Sequence, residues 1–229
     1  MTVLSAIQSA VLRMSFEPID AVFASTERIA LDLADLANEV AADIVDSHDW
    51  RSLTKIETLT STGALNYALP DDFQRMPIDA EIEDSTSWFW GYEPFTSVNQ
   101  WLQFRSGTYA IISPGGWIAL GGELQFYPAP IGEAEYPYIS NAWAADAGGA
   151  RKAAFTDDGD TFVLDDRLLT LGLIWRYQAQ KGYEYSESLA TYEMALSKAQ
   201  ARDRGGRIYR SGSSRFRTAQ IGYTGSAFR

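Results

Sequence analysis

The chain contains no cysteine and only one histidine among its 229 residues. The lack of cysteine excludes disulfides and thiolate metal sites, and it suits a protein made in a reducing cytoplasm. With His48 as the only imidazole, most histidine-based catalytic triads and multi-histidine metal sites are excluded as well. His48 stands beside Asp46 and Asp49 at a predicted helix end, where we expect a solvated cation favoured by the helix dipole. We therefore predict no catalytic site, no metal site and no cofactor.

Long apolar runs are also missing. No run approaches the length of a membrane span, and the N-terminus lacks the basic and hydrophobic regions of an export signal. We expect no membrane partner. Hydrophobic residues still make up 46% of the chain and aromatic residues 13%, which is enough for a packed core.

Basic residues are scarce over most of the chain. Residues 1–201 hold 12 Lys and Arg against 29 Asp and Glu, a net charge of −17. The last 28 residues reverse this balance, with seven arginines against the single acid Asp203, a net charge of +6. An acidic body binds polyanions poorly, so only the C-terminal segment is a candidate for contact with nucleic acid.

The C-terminal segment has no amphipathic period, and Gly, Ser and Thr separate its arginines. It cannot bury enough apolar surface on its own to offset the entropy lost on ordering. Its singly spaced aromatic residues predict an extended arm that orders on a partner, although a disordered chain end remains the alternative. The candidate partner-binding residues are Arg202, Arg204, Arg207, Ile208, Tyr209, Arg210, Arg215, Phe216, Arg217, Tyr223, Phe228 and Arg229.

Apolar residues with helical spacing predict helices at 2–13, 25–48, 165–181 and 186–203. Ser25 or Thr26 is expected to cap the second helix and Asp165 the third. Trp50 is expected to cover the last turn of the long helix. Lys181 and Gly182 form a cationic, left-handed helix end.

From Thr54 the pattern shifts toward a period of two, with frequent Gly and Pro. Strands are predicted near 55–60, 65–69, 77–83, 98–105, 108–113, 116–119, 123–127 and 134–141. The predicted fold is α+β: a helical layer (the N-terminal long helix plus a C-terminal helical hairpin), an inserted antiparallel β sandwich or barrel, and an extended C-terminal arm. The predicted boundaries are a helical domain at 1–53 and 155–204, a β domain at 54–154, and an arm at 205–229.

Three further patterns superficially suggest a calcium site, a carbohydrate-binding surface and a nucleic-acid-binding segment. The acids Asp157, Asp158 and Asp160 lack the spacing of an EF-hand loop and predict a turn before a helix N-cap instead. The seven tryptophans allow a carbohydrate-binding surface if Trp88, Trp90 or Trp101 is exposed. Arginines interleaved with aromatics could stack on single-stranded nucleic acid, but the segment has no lysine.

Several segments stand in an order and spacing that suggest a known family. They are Asp49-Trp50-Arg51-Ser52-Leu53, Tyr67-Ala68-Leu69-Pro70-Asp71-Asp72-Phe73, Glu123-Leu124-Gln125-Phe126-Tyr127-Pro128-Ala129-Pro130, Tyr138-Ile139-Ser140, Phe155-x-x-Asp158-x-Asp160, Leu164-Asp165-Asp166 and Ile174-Trp175-Arg176-x-x-x-x-Lys181-Gly182-x-x-Tyr185. Over roughly residues 25–205 the chain resembles the head-to-tail adaptor proteins of tailed bacteriophages, such as those of podoviruses and related prophages.

The resemblance implies a structural protein without catalysis. Such proteins form a ring, typically a dodecamer, beneath the portal in the virion neck after the genome is packaged. The ring extends the DNA channel and carries the distal tail component (a nozzle, stopper or tail tube). By this resemblance the arm binds the portal protein, DNA passes through the lumen without specific binding, and synthesis and assembly occur in the cytoplasm of the bacterial host. The acidic body suits a lumen that must not retain phosphates.

Overall fold

The computed structural model describes residues 1–77, 80–84, 92–106 and 115–204. The helices in these ranges are α1 (Val3–Arg13), α2 (Arg28–Asp46), α3 (Val98–Ser106), α4 (Asp166–Lys181) and α5 (Ser186–Arg204). The strands are β1 (Thr54–Thr60), β2 (Asn66–Ala68), β3 (Phe73–Arg75), β4 (Glu83–Asp84), β5 (Tyr92–Pro94), β6 (Gly115–Leu120), β7 (Glu123–Tyr127), β8 (Glu133–Ser140), β9 (Ala144–Ala145), β10 (Arg151–Lys152) and β11 (Thr161–Phe162). The α+β class and all four predicted helices are confirmed.

Four helices share one hydrophobic core. Helices α1, α2 and α5 each contact α4, and their apolar faces meet in a single buried cluster. Helices α2 and α4 run antiparallel, since Lys181 binds Asp32 near one end and Arg176 binds Asp43 toward the other. A Cβ atom added at Gly172 would lie 2.3 Å from Cγ1 of Val40. The glycine therefore lets α4 approach α2 closely.

The helix ends follow local chemistry with one exception. The side chain of Asp165 accepts the backbone N–H of Arg167, and Gly182 ends α4 at φ +74°, as predicted. Trp50 is buried and its Nε1 donates to the carbonyl of Ile44 at 2.8 Å, so it covers the last turn of α2. The predicted cap at Ser25 or Thr26 is wrong. Helix α2 begins after Glu27, because the hydroxyl of Ser25 accepts the N–H of Glu27 in the preceding turn.

The described residues of the insert include two four-stranded sheets. One has the order β1-β8-β3, with β4 also paired to β8, and the other has the order β2-β7-β6-β5. Their facing side chains form a second hydrophobic core, distinct from the helical one: Leu59, Ile82, Tyr92, Trp117, Leu124, Phe126, Ala134, Tyr136 and Tyr138. Two sheets over one core make a sandwich rather than a closed barrel.

Three expectations for the insert need correction. The segment predicted as a strand at 98–105 is helix α3, because Trp101 and Phe104 are spaced by three residues and share one helical face, with ring centroids 6.0 Å apart. Among the described strands, the pairing is antiparallel except between β5 and β6, which are parallel. Parallel neighbours need a crossover connection, and α3 lies in it. Within the described part of the predicted strand at 77–83, regular strand is confined to the start of β4 at its end. The predicted strand at 108–113 lies outside the described residues.

Strand β8 links the two cores. Tyr138 belongs to the core of the sandwich, whereas the next residue, Ile139, belongs to the helical core. Beyond β8, the small sheet β10-β9-β11 brings Trp143, Phe155 and Phe162 together against the helices. The sandwich is therefore joined to the helical layer through a packed seam.

Candidate functional site

The predicted arm begins at the end of α5. Arg202 and Arg204 lie in this helix. The other ten candidate residues lie outside the described residues: Arg207, Ile208, Tyr209, Arg210, Arg215, Phe216, Arg217, Tyr223, Phe228 and Arg229. The structure describes the chain up to Arg204, the last residue of α5, after which the predicted arm follows.

The last turns of α5 are tied to the end of α2. Nε2 of Gln200 donates to the carbonyl of Ser47 at 3.2 Å. A carboxylate oxygen of Asp203 accepts the backbone N–H of Arg51 at 3.2 Å and lies 3.3 Å from Nε2 of His48. We call Gln200 and Asp203, with these contacts, the arm base. The end of α5, which precedes the predicted arm, is therefore held on the helical layer.

His48 is part of this arrangement, and the expectation of a solvated side chain is wrong. The imidazole is buried and meets the ring of Trp50 edge-on, with centroids 5.0 Å apart. Burial follows from α5, whose C-terminal end covers the end of α2. No local pattern predicts this contact, because Asp203 is far from His48 along the chain.

Two adjoining grooves lie beside the arm base, between the start of α4 and the end of α5. The smaller, about 90 Å³, is lined by Arg167, Met194, Lys198 and other residues, and the larger, about 310 Å³, reaches Trp50 and Asp203. Asp165 and Arg202 border both grooves, and their side chains lie 3.6 Å apart. Both side chains are exposed, so this ion pair contributes little to stability.

The acidic cluster before α4 has structural roles. Asp158 accepts the backbone N–H groups of Val22 and Phe23, at 3.0 and 3.1 Å. Asp160 accepts those of Thr156 and Asp157, at 2.7 and 2.9 Å. In the part of the chain that the structure describes, no group of three or more potential ligands is arranged to hold a metal ion.

The contact between Asn38 and Phe155 was not predicted from the sequence. Oδ1 of Asn38 accepts the backbone N–H of Phe155 at 2.8 Å, and its Nδ2 donates to the carbonyl of Phe155 at 3.2 Å. One amide on α2 thus satisfies both backbone groups of Phe155. In the sequence, the only signal for this contact is a polar residue beside the buried apolar positions of α2.

Two of the segments that carry the resemblance meet at Asp72. One carboxylate oxygen accepts the hydroxyl of Tyr138 at 2.8 Å, and the other accepts the hydroxyl of Ser140 at 2.6 Å and Nζ of Lys55. Partial burial alone would raise the pKa of Asp72, but these hydrogen bonds outweigh it and hold the pKa at about 2. Asp72 therefore joins β1 and β8 at the seam.

Replacing Asp72 by Ala should lower the free energy of unfolding by about 2–3 kcal/mol near neutral pH, because several bonds to a charged acceptor are lost. A group with a depressed pKa stabilises the fold above its ordinary pKa and loses that effect as the pH falls toward the folded value. The difference between wild type and D72A should therefore shrink between pH 4 and pH 2. Urea unfolding measures both effects. The exposed neighbour Asp71 supplies the control, and an equal loss in D71A would contradict the assignment.

The tryptophans of the sandwich do not form an open platform where they are described. Trp101 is 1% exposed, and its Nε1 donates to Oε1 of Gln125 at 3.2 Å. Trp117 is buried as well. Trp88 and Trp90 lie outside the described residues. Trp101 is therefore too buried to bind a carbohydrate, which weakens the carbohydrate-binding alternative.

The described residues form a helical layer joined to a β sandwich, and the end of α5 is held against the end of α2. No helix in the described ranges is both long and apolar enough to cross a membrane. No curated protein matches the sequence. A family model described as SU10 adaptor protein matches residues 1–219, which includes the helical layer, the sandwich and most of the arm. The chain therefore belongs to the SU10 adaptor protein family, a family of bacteriophage head-to-tail adaptors, which are structural virion proteins.

Proposed function

We propose that this adaptor forms a ring of twelve subunits beneath the portal protein in the virion neck. The ring extends the DNA channel and provides the platform for a distal tail component. Synthesis and assembly take place in the cytoplasm of the bacterial host. Family membership supports the adaptor role and the association with portal and tail components. The family is also not an enzyme class.

The observation that carries the proposal is the anchored arm base. Asp203 and Gln200 hold the end of α5 on α2, and 25 residues rich in arginine and aromatics follow Arg204. A basic arm that leaves an acidic body from a fixed point is suited to reach a second protein. Its arginines can pair with portal carboxylates, and its aromatics can fill portal pockets.

The charge of the body supports passage of DNA without binding. Acids in a ring lumen repel phosphates, and screening limits this repulsion to roughly 8 Å at physiological salt. The relevant acids are therefore those that face the lumen.

We propose that the chain divides into a helical unit (1–53 and 155–204), an inserted β unit (54–154) and the arm (205–229). Two separate hydrophobic cores support a division of this kind. Trp143 and Ala144, near the end of the insert, pack with the helical core and so lie at the seam.

Mass photometry of the purified protein, alone and with its cognate portal, tests the assembly. We expect subunits that associate weakly alone, because acidic bodies repel one another, and a ring in the presence of the portal. The control is the portal protein without adaptor. A stable twelve-fold ring of the isolated protein at physiological salt would contradict this order of assembly, and no added mass on the portal would contradict the proposed function.

A further inference from the structure

The smaller groove beside the arm base carries unneutralised positive charge. Neither Arg167 nor Lys198 has an acidic side chain within 4 Å in the described part of the chain, and Arg202 pairs only loosely with Asp165 there. By contrast, Lys55, Arg75, Lys152, Arg176 and Lys181 each bind an acid at 3.5 Å or less. Met194, one turn before Lys198 on α5, also lines the groove and is 59% exposed. We call Arg167, Met194, Lys198 and Arg202 the basic groove.

The turn between α4 and α5 has the complementary chemistry. Tyr183 and Tyr185 are 58% and 41% exposed, which is unusual for aromatics of this size, and Glu187 is exposed in the first turn of α5. Glu184 already binds the hydroxyl and the N–H of Ser186, so Glu187 is the acid of this turn that is available for pairing. We call residues 183–187 the acidic turn.

The two charged groups lie apart on the helical hairpin. The cations of the basic groove are at the start of α4 (Arg167) and in the second half of α5 (Lys198 and Arg202), whereas the acidic turn follows the end of α4. Lys198 lies 11 residues after Glu187 in α5, which is about 16 Å at 1.5 Å per residue. A subunit therefore cannot pair its own Glu187 with its own Lys198.

We propose that the basic groove of one subunit receives the acidic turn of a neighbouring copy of this chain. Glu187 pairs with Lys198 and Arg167, and the tyrosine rings pack against the thioether of Met194, a favourable contact for sulfur. Contact between two different surfaces is heterologous, and such contacts generate a closed ring when the rotation between subunits closes. The inference rests on the proposed ring and identifies the surfaces that build it. The contact would also provide a local attraction between copies of an acidic protein that otherwise repel one another.

Site-directed crosslinking tests this contact, and the absence of cysteine makes every introduced thiol unique. The full-length variants M194C, Y183C and M194C/Y183C are treated with a short bis-maleimide, alone at high concentration and bound to the portal. We expect a ladder of oligomers from the double variant, a dimer from an equal mixture of the two single variants, and monomers from each single variant. Dimers from M194C alone would overturn the proposal in favour of a two-fold contact, and so would a double variant that stays monomeric on a portal that carries a ring.

Charge reversal tests the pairing itself in the double-cysteine background. We expect K198E or E187K to lower the crosslinked fraction at least about fivefold, and the combination of both to restore most of it. The matched control is E17K, which makes the same charge change at an exposed site after α1. An equal loss in E17K, or no restoration in the combination, would overturn the pairing. Mass photometry of the same samples separates the two proposals: a ring on the portal without a ladder refutes only this contact, whereas no ring refutes the proposed function.

Discussion

Deleting residues 205–229 should abolish co-purification of the adaptor with its portal protein and leave thermal unfolding of the body unchanged. The body keeps its folding contacts in this variant, because the last ones seen in the structure involve Gln200, Arg202 and Asp203. The deleted segment carries five of the seven C-terminal arginines and all of the aromatics predicted to be anchors. Binding is measured by pull-down with tagged portal, and stability by a circular-dichroism melt.

The length of the arm makes it suited to this role. An extended chain of 25 residues reaches about 80 Å at roughly 3.3 Å per residue. That distance is long enough to cross a neighbouring subunit and still reach the portal. Because the arm base is fixed on α2, this reach is measured from a defined point rather than from a loose chain end.

Within the arm, the aromatics should carry most of the binding energy. Buried anchors typically cost about 2 kcal/mol or more on truncation, and charges at the rim of an interface cost less. A variant with Ser at Tyr209, Phe216, Tyr223 and Phe228 keeps every arginine and is the matched control for charge. We expect it to bind portal weakly and with a steeper dependence on salt than wild type. A truncated protein that binds portal with wild-type affinity would show that the docking surface lies on the helical layer.

Local signals predicted helices α1, α2, α4 and α5 and the longer strands β1, β6, β7 and β8, because the evidence for these elements lies within a few residues. Asp165 and Gly182 mark the two ends of α4, and the apolar spacing around Leu33 and Val40 marks the buried face of α2. Helix α3 was not predicted, since Val98, Trp101 and Phe104 are residue types that favour a strand by composition. Its true signal was the three-residue spacing of Trp101 and Phe104.

Contacts between distant segments could not be predicted. The sequence suggested that the segments around Asp72 and Tyr138 are important, but no spacing rule places a carboxylate beside a hydroxyl 66 residues away. His48 is a similar case, because its burial depends on Asp203, 155 positions further along the chain. The same limit applies to the basic groove, which forms only when the two ends of the helical hairpin are folded side by side.

Loss of the carboxylate of Asp160 should strongly destabilise the fold. This side chain is 1% exposed and binds Nζ of Lys152 at 2.7 Å as well as two backbone N–H groups. The carbonyl of the same residue accepts the N–H of Val3 at 2.6 Å, so this turn also holds the start of α1. Its loss would therefore disturb both the turn and the N-terminal helix.

We expect D160A to lower the free energy of unfolding by about 3–5 kcal/mol, because a buried ion pair loses one partner and two N–H groups lose their acceptor. For a chain of this size the melting temperature should fall on the order of 10 °C. D160N keeps an acceptor for the N–H groups but not the charge for Lys152, so it should be intermediate. D157A is the matched control: Asp157 accepts only the N–H of Gly159 in an exposed turn, and its loss should cost about 1 kcal/mol or less.

The pH dependence of unfolding separates the contribution of the Asp160–Lys152 ion pair from that of the hydrogen bonds to the two N–H groups. Burial alone would raise the pKa of Asp160, but the bonds from Lys152 and the two N–H groups lower it below its ordinary value of 3.8. Its charge therefore stabilises the fold fully above about pH 4, and the effect is lost as the pH falls below the folded pKa. The gap in unfolding free energy between wild type and D160N should narrow over that range in urea titrations, while the gap between D160N and D160A stays nearly constant. If D157A were as unstable as D160A, the ion pair would not be the cause, and the turn as a whole would hold α1 in place.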